Sequence, residues 1–307
     1  MSLDKTYLEY PERRYGMDHD RYTWSMLKDR KPTAWPNNNK LALWVNVNVQ
    51  FFSLNQQKNA VPVPGGMTMP YPDLRHFSLR DYGNRVGIYR VFKALEKFSV
   101  TPTIAINGAM VKRAPYLMDL IKERGHEVIA HGWQMDNLHT GNIAREEESE
   151  RIKKTRDALE SQFDKTIEGW LSPGRFQTAN TPDLLAEQAF TYVCDWINDD
   201  MPYPFKTASG DITTMPLSNE LDDFFILNSN LHSAESYAEQ LADACDFLLE
   251  EATQQGGRLL ALNVHPWLLG QPHRIAQLEN ALEHITSKSG VFSASAGEIL
   301  KIWKAQL

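Results

Sequence analysis

Short apolar runs recur along this chain, and each one ends at a polar residue that can take part in chemistry. The runs and the residues that follow them are 43–47 with Asn48 and Gln50, 127–130 with His131, 191–194 with Asp195, and 259–264 with His265. Apolar runs of this length are typical of buried strands. If these strands are parallel, their carboxyl ends bring the polar residues to one rim, where α/β barrels and open α/β sheets place their active sites.

Apolar residues at helical spacing separate the predicted strands. The first such stripe consists of Ile88, Val91, Phe92, Leu95 and Phe98. Further helices are predicted over 115–124 and 146–163, around 237–248 and 275–285, and after a capping box at 295–298. The alternation of strand and helix predicts one α/β domain over residues 40–307.

Two segments lack a clear period. Residues 1–39 carry too many aromatic side chains for a disordered tail. We therefore expect an N-terminal aromatic arm, packed on the α/β domain or on a neighbouring subunit. Residues 51–81 are irregular and rich in proline and glycine. A loop this long in a compact domain is usually functional or acts as a lid.

Composition narrows the classes of function. The 307 residues are 42% apolar, with a formal net charge of -7 and no clustered basic face, so we expect no nucleic-acid partner. No run reaches the roughly 18 apolar residues of a membrane span, which predicts no membrane partner. Two cysteines in apolar segments fit reduced thiols, and the N-terminus has no apolar signal segment. We therefore expect a cytoplasmic protein.

His265 and His131 are the histidines whose positions favour chemistry. His265 follows a predicted buried strand, and Pro266 prevents that strand from continuing. An imidazole with an ordinary pKa of about 6.5 can give or take a proton near neutrality. His131 closes another strand, and Gly132 allows a sharp turn after it. The alternative for both is a structural histidine, hydrogen-bonded at a strand end.

Arg175 and Asp195 follow later predicted strands. Arg175 ends the loop 169–175, and a guanidinium there suits bidentate hydrogen bonding to a substrate carbonyl or carboxylate. Asp195 could orient a histidine or Arg175. The alternatives are a surface arginine, and an aspartate that caps a helix or pairs with Lys206.

Taken together, six segments resemble the polysaccharide deacetylase-like superfamily, the NodB-homology fold. They are RDYGNRVG at 80–87, HGW at 131–133, GWLSPGR at 169–175, NTPDLLAE at 180–187, DWINDDMPY at 195–203 and HPWLLGQPHR at 265–274. The chain is most similar to the cytosolic branch that includes puuE-type allantoinases and related cyclic-amide hydrolases. The resemblance implies an α/β fold, a distorted (β/α) barrel with fewer than eight regular repeats.

The chain departs from the family at its metal ligands. Metal-dependent members carry an aspartate in the first motif and a His-x-x-x-His pair in the second. Here the first motif, 46–50, reads NVNVQ, and the second pairs His131 with Met135. A tight Zn²⁺ site needs three histidine or carboxylate ligands, and amides and thioethers are poor substitutes. We therefore expect no tightly bound catalytic metal and no other cofactor, while a weakly held divalent ion at His131 stays open.

We expect a hydrolase of non-peptide carbon–nitrogen bonds that acts on a small amide, cyclic imide or ureide. The predicted catalytic residues are His265, Asp195, Arg175 and His131, and the predicted substrate-binding residues are Asn48, Gln50, Trp133 and Trp267. His265 would transfer a proton, Asp195 would position a catalytic group and Arg175 would anchor the substrate. Asn48 and Gln50 would donate to the developing oxyanion, with about 3 kcal/mol from each good donor. The two tryptophans would form pocket walls.

Two other functions stay open. Gln50, where related members carry glutamate, cannot act as a general base. Together with Met135, it also fits a non-catalytic binding or regulatory relative. A metal-dependent N-acetyl-sugar deacetylase with an unusual ligand set is the third possibility. We expect a small-molecule ligand and a homo-oligomer, because the arm can cover another subunit and family members are commonly oligomeric.

Overall fold

The computed structural model describes residues 19–54, 74–140 and 143–307. Its strands are β1 (Leu41–Val49), β2 (Pro102–Ile106), β3 (Glu127–Ala130), β4 (Gly169–Trp170), β5 (Tyr192–Val193), β6 (Tyr203–Phe205), β7 (Ile212–Thr214), β8 (Arg258–Val264) and β9 (Val291–Ser293). They form one sheet in the order β6-β7-β5-β4-β3-β2-β1-β8. Every pair is parallel except β6 with β7. The short β9 pairs with the start of β1.

Helices cover the outside of the curled sheet. They are α1 (Leu74–Tyr82), α2 (Ile88–Lys97), α3 (Met110–Arg113), α4 (Pro115–Glu123), α5 (Arg145–Phe163), α6 (Thr181–Glu187), α7 (Ala234–Gln255), α8 (Pro266–Leu269), α9 (Ile275–Ser287) and α10 (Ala296–Lys304). Two π-helical turns, Gly83–Gly87 and Phe224–Ser229, interrupt the regular pattern. The structure is the predicted distorted (β/α) barrel, and this part of the sequence analysis is confirmed. The capping box that opens α10 is also confirmed.

Strand β1 pairs with β2, β8 and β9, and its alternation determines which of its side chains face the interior of the barrel. All nine of its residues are buried. Leu43, Val45 and Val47 pack with the helices in the larger apolar core, whereas Trp44 packs in the second core. Each buried aliphatic side chain contributes roughly 1.5–3 kcal/mol. Because side chains alternate along a strand, the polar positions 46, 48 and 50 share the inner side with Trp44.

The prediction of an irregular stretch over 51–81 was wrong for its C-terminal part. Residues 55–73 lie outside the described residues, but Leu74–Tyr82 is a helix, which continues through the π-helical turn into α2. The buried residues of this first helix are His76 and Arg80, one turn apart. An apolar periodicity cannot reveal a helix whose buried side is polar.

Residues 19–39 lie against the barrel, and residues 1–18 fall outside the described part. Tyr22 packs edge-on against Trp196 and Tyr203, with ring centroids 6.2 and 5.4 Å away. The Trp35 indole is buried and donates to the carbonyl of Arg258 at 2.8 Å. Homo-oligomerisation stays a prediction. In the described residues, no helix combines the length and the apolar character needed to cross a membrane.

Candidate active site

A cavity of about 600 Å³ opens at the carboxyl ends of β1, β3 and β8. Its polar lining includes Asn48, Gln50, Arg80, His131, Arg175, Asn219, Asp222, Asn228, Ser229, Asn263 and His265. Its apolar lining includes Met135, Leu171, Phe176, Phe224 and Phe225. Five of the eight predicted site residues line it: Asn48, Gln50, His131, Arg175 and His265. Asp195, Trp133 and Trp267 do not.

The cavity floor is a row of amides on β1 and β8. Strand register places Asn46 opposite Asn263, so both carboxamides point into the barrel. The Asn263 Oδ1 accepts from Nδ2 of Asn46 and from Nδ2 of Asn48, both at 2.7 Å. The second N–H of Asn48 donates to the carbonyl of Val264 at 3.1 Å. Asn48 therefore has no amide N–H left for an oxyanion, and the predicted donor role of Asn48 was wrong.

Gln50 and His131 form a neutral pair at the end of this row. The His131 Nδ1 lies 2.8 Å from the carbonyl oxygen of Leu171, which can only accept, so Nδ1 carries the proton. The pKa of His131 is lowered to about 4, chiefly by burial and to a smaller extent by the neighbouring His265 and Arg175. The neutral ring therefore presents an acceptor at Nε2, and Gln50 Nε2 donates to it at 3.1 Å.

The backbone after His131 is shaped for this contact. Gly132 has φ +66°, and a Cβ there would lie 2.2 Å from the ring of Pro173. Only glycine combines this conformation with such a close approach. The turn brings the loop after β4 against β3, and the same loop supplies the Leu171 carbonyl that binds His131.

Two neighbouring aspartates that sequence reasoning missed hold the other side of the site. Asp223 is fully buried and binds His265 twice: its Oδ1 accepts from the ring Nδ1 at 2.6 Å and its Oδ2 from the backbone N–H at 2.7 Å. Burial raises the pKa of the Asp223 carboxyl, and the contact with His265 acts in the opposite direction. Because Nδ1 donates to the carboxylate, His265 Nε2 is the ring nitrogen left for the cavity.

Asp222 serves different partners. Its Oδ2 accepts from Asn263 Nδ2 at 2.6 Å and from Arg175 Nη2 at 3.1 Å. The amide row therefore continues through this carboxylate to the guanidinium. Arg175 also donates to the carbonyls of Leu217 and Ser218, at 2.8 and 3.1 Å. Three of its five N–H groups are used in these contacts, which leaves two without a partner among the described residues.

Arg175 adopts a strained backbone conformation. Its φ of +60° lies in the left-handed region, which costs a residue other than glycine roughly 1–2 kcal/mol. The hydrogen bonds to Asp222 and to two carbonyls hold the side chain against that cost. Strain of this kind is found most often at functional sites.

Asp195 does not take the predicted orienting role. Its Oδ1 accepts from the backbone N–H of Ser172 at 2.8 Å, and its Oδ2 accepts from the Ser172 hydroxyl at 2.6 Å. Burial raises its pKa to about 6. The carboxylate supports the loop that carries Arg175, whereas Asp223 and Asp222 bind the histidine and the arginine. We correct the prediction accordingly.

The two predicted tryptophan walls lie behind the cavity lining. Trp267 stacks on Arg80, whose guanidinium carbon is 3.7 Å from the ring centroid. Arg80 lines the cavity in its place, and burial lowers the pKa of this guanidinium to about 9. Trp133 is half-buried beneath Lys154, whose Nζ is 3.6 Å from the ring. Neither ring is part of the cavity lining, so the prediction that they form its walls was wrong.

The ligand set for a metal of the family kind does not fit this chain. The one histidine that remains, His131, already uses both ring nitrogens in hydrogen bonds. The buried Met135 offers a thioether, and Asn48 and Gln50 offer neutral amides. These groups suit a dication poorly.

A second group of residues is close enough to share a cation. In the described residues, ligand atoms of Asp222, Asp223 and His265 lie within 4.8 Å of one another. All four carboxylate oxygens already accept hydrogen bonds from N–H groups, including Phe224 N–H to Asp222 Oδ1 at 2.8 Å. The protein therefore supplies a donor to each of these oxygens, and the arrangement fits a hydrogen-bonded acid–imidazole network.

Sequence reasoning missed Asp222, Asp223, Asn263 and Arg80. One signal could have revealed the aspartates: they are adjacent carboxylates inside the apolar stretch 221–227. Lone charges in such a stretch are buried only when they are paired. Arg80 opens the segment 80–87 that carries the resemblance, but it lies on a helix without apolar periodicity, so no pattern indicated its burial in the cavity wall.

Comparison with known proteins finds similarity to polysaccharide deacetylases. Residues 80–193 match the family model named Polysaccharide deacetylase. A Schizosaccharomyces pombe protein whose name assigns it to the polysaccharide deacetylases is 27% identical over 302 residues, covering 89% of this chain and 92% of that protein. The peptidoglycan deacetylase of Helicobacter pylori is 23% identical and covers 72% of this chain and 86% of its own length.

Solved structures share the fold. A probable polysaccharide deacetylase from Pseudomonas aeruginosa PAO1 has a TM-score of 0.80 and 23% identity, covering 93% of this chain and 99% of its own. Puue allantoinase has a TM-score of 0.81 and 24% identity, covering 92% and 98%.

These matches confirm the predicted resemblance to the polysaccharide deacetylase-like superfamily. Both curated relatives are named deacetylases, the class of enzyme to which the sequence motifs point.

Proposed function

We propose that this protein hydrolyses a carbon–nitrogen bond of a small amide, cyclic imide or ureide in the cavity at the carboxyl ends of β1, β3 and β8. The observation that carries the proposal is the Asp223–His265 pair. A buried carboxylate accepts from the ring Nδ1 and from the backbone N–H of His265 and leaves Nε2 for proton transfer, in a cavity that an arginine with unused N–H groups also lines.

In the first step, His265 acts as a general base. Its Nε2 takes a proton from water as the water oxygen attacks the substrate carbonyl carbon. The imidazolium that forms is stabilised by Asp223, because its Nδ1–H already donates to that carboxylate. Proton transfer by a positioned side chain contributes roughly 10²–10⁴-fold to rate.

The mechanism also requires a donor that stabilises the oxyanion, and Arg175 takes this role. Asn48 cannot donate, and Gln50 already uses one amide N–H at His131. Arg175 lines the cavity with two N–H groups that have no partner among the described residues. A charged donor held in place by Asp222 suits a developing negative charge.

In the last step, the tetrahedral intermediate collapses and the carbon–nitrogen bond breaks. The imidazolium of His265 returns its proton to the departing nitrogen, so the products are a carboxylic acid and an amine, or a ring-opened acid. Phe176, Phe224 and Phe225 suit a small planar ligand that enters beside this histidine.

A substrate scan tests the proposal. Small amides, hydantoins, imides and acylated sugars are incubated with wild type and with His265→Ala, and release of acid or amine is measured. We expect one of the amide classes to be turned over and the variant to lose at least 10²-fold in kcat. Equal turnover by both proteins would contradict the mechanism.

The same scan distinguishes the other two functions. Binding without turnover by the wild type would favour a non-catalytic relative. Turnover of an acylated sugar only after addition of a divalent metal would favour a metal-dependent deacetylase. The hydrogen-bonded state of His131 argues against the latter, because both its ring nitrogens are used.

A further inference from the structure

We propose that Gln50 determines substrate specificity by accepting a hydrogen bond from a substrate N–H at Oε1. The inference rests on the proposed function and narrows its substrate to amides that carry an N–H beside the reacting carbonyl. It assigns Gln50 the opposite role to that of an oxyanion donor, because the atom that lacks a partner is an acceptor.

The orientation of the carboxamide is determined by a chain of contacts. The Leu171 carbonyl accepts the Nδ1 proton of His131, so the ring accepts at Nε2. Nε2 can be met only by a donor, and the nitrogen of Gln50 therefore points to it. A reversed carboxamide would put an oxygen against the lone pair of the ring. The contact consequently directs Oε1 away from His131.

The Oε1 atom has no hydrogen-bond partner among the described residues, although it is shielded from solvent. Gln50 as a whole is 8% exposed and lines the cavity. An isolated buried acceptor is costly when it is left unsatisfied. A ligand N–H that enters the cavity would satisfy it, and a ligand without that hydrogen would leave it unpaired.

Neighbouring groups also favour a ligand that carries a carbonyl next to its N–H. Both N–H groups of Asn48 are used within the amide row, so this part of the floor offers no competing donor to a ligand carbonyl. The remaining donors that line the cavity include Arg175, on the side of Asp222. A ligand with a carbonyl next to an N–H can therefore meet Arg175 with its oxygen and Gln50 with its nitrogen.

Succinimide and N-methylsuccinimide are suitable probes, since the first has a single N–H and the second has none. Their dissociation constants are measured by calorimetry on the full chain, for wild type, Gln50→Met and Gln50→Glu. We expect wild type to prefer succinimide by about tenfold, the range of one buried hydrogen bond. The preference should fall to twofold or less in Gln50→Met and persist in Gln50→Glu, which retains an acceptor.

The methionine variant also separates recognition from steric exclusion. Its side chain is similar in volume to glutamine, so a preference caused only by a methyl clash would persist in it. A persisting preference in Gln50→Met, equal binding of the two probes by wild type, or no binding of succinimide would overturn the inference. If Gln50→Met does not fold, Gln50→Leu, another apolar side chain without an acceptor, takes its place in the same comparison.

Hydrolysis is measured in parallel, so that the two proposals can fail independently. Selective binding of succinimide without turnover of any amide would leave the role of Gln50 intact and reject the enzyme proposal. Turnover that is indifferent to N-methylation would do the reverse.

Discussion

Asp223 binds His265 through both carboxylate oxygens, one to the ring Nδ1 at 2.6 Å and one to the backbone N–H at 2.7 Å. Asp223 therefore holds the backbone and the ring of His265 at the same time. Rotation about χ1 or χ2 would break a charge-assisted hydrogen bond. This double contact fixes both the tautomer and the direction of Nε2.

We expect Asp223→Asn to lower kcat by about 10²–10⁴-fold with little change in KM. The amide can accept at one position only, and its NH₂ group favours the wrong tautomer of His265. Steady-state kinetics on the substrate found by the scan measures the effect.

Asp246→Asn is the matched control, because Asp246 also pairs with a histidine, at 3.0 Å from His284, but on an exposed surface. We expect its kcat to stay within twofold of wild type. A similar loss in both variants would mean that the Asp223 effect is not local to the site.

Arg175→Lys tests the guanidinium at unchanged charge. Lysine cannot reproduce three divergent hydrogen bonds to Asp222 and to two carbonyls, so we expect kcat/KM to fall about 10²-fold. The free energy of unfolding should fall by about 1–3 kcal/mol. Arg145→Lys, in the exposed pair with Glu187, should change neither quantity measurably. An unaffected kcat/KM in the first variant would remove Arg175 from catalysis.

Asn263→Ala should destabilise the barrel by about 3 kcal/mol, measured by urea unfolding. The substitution leaves donors of Asn46 and Asn48 and an acceptor of Asp222 without their partner in a buried site. Asn280→Ala, on an exposed helix position, should cost no stability. If both variants unfold at the same urea concentration as wild type, the amide row does not stabilise the fold.

His131 should make the fold sensitive to acid. Its folded pKa of about 4 lies below the ordinary 6.5, so the stability it contributes is present above pH 6.5 and is lost as pH falls through the folded value. Between pH 7 and 4 this loss is about 3 kcal/mol. Urea unfolding gives the free energy of unfolding of wild type and of His131→Gln at each pH. The loss is the change in the difference between the two proteins from pH 7 to pH 4.

Asp195→Asn should show the opposite sign in the same experiment. The folded pKa of Asp195, about 6, lies above its ordinary value, so its contribution is greatest at low pH and is lost as pH rises through 6. The difference between wild type and this variant should therefore grow on acidification. Parallel pH profiles for wild type and both variants would show that neither group is shifted by burial.

Removal of metal should leave the activity unchanged. The ring nitrogens of His131 and the carboxylate oxygens of Asp222 and Asp223 already take part in hydrogen bonds, so dialysis against a chelator should alter kcat by less than twofold. Elemental analysis of the purified protein should find less than about 0.1 divalent ion per chain. Loss of activity that Zn²⁺ or Mn²⁺ restores would contradict the metal-free mechanism.

Strand polarity explains how much of the site could be predicted from the sequence. The run 127–130 has the observed ends of β3, and the run 43–47 lies inside β1. Parallel strands bring their carboxyl ends together, so His131 and His265 line one cavity although 134 positions separate them. The α/β alternation likewise predicts the layers of the fold.

The partners within the site could not be predicted in the same way. Asp195 stands next to a strand end, as a catalytic carboxylate would, yet the loop after β4 turns its Ser172 towards it. Asp222 and Asp223 lie on an irregular segment between β7 and α7, where no periodicity indicates direction. The orientation of the Gln50 carboxamide depends on which ring nitrogen of His131 carries the proton, and residues near Gln50 in the sequence do not determine that.

The row of amides that ends at Gln50 and His131 gives the barrel a floor that is polar but uncharged. Carboxamides do not titrate, and an imidazole with a pKa of about 4 stays neutral from weakly acidic to alkaline conditions. The affinity of this floor for an uncharged ligand should therefore not depend on pH across that range. Any pH profile of catalysis then originates in the histidine–aspartate pair.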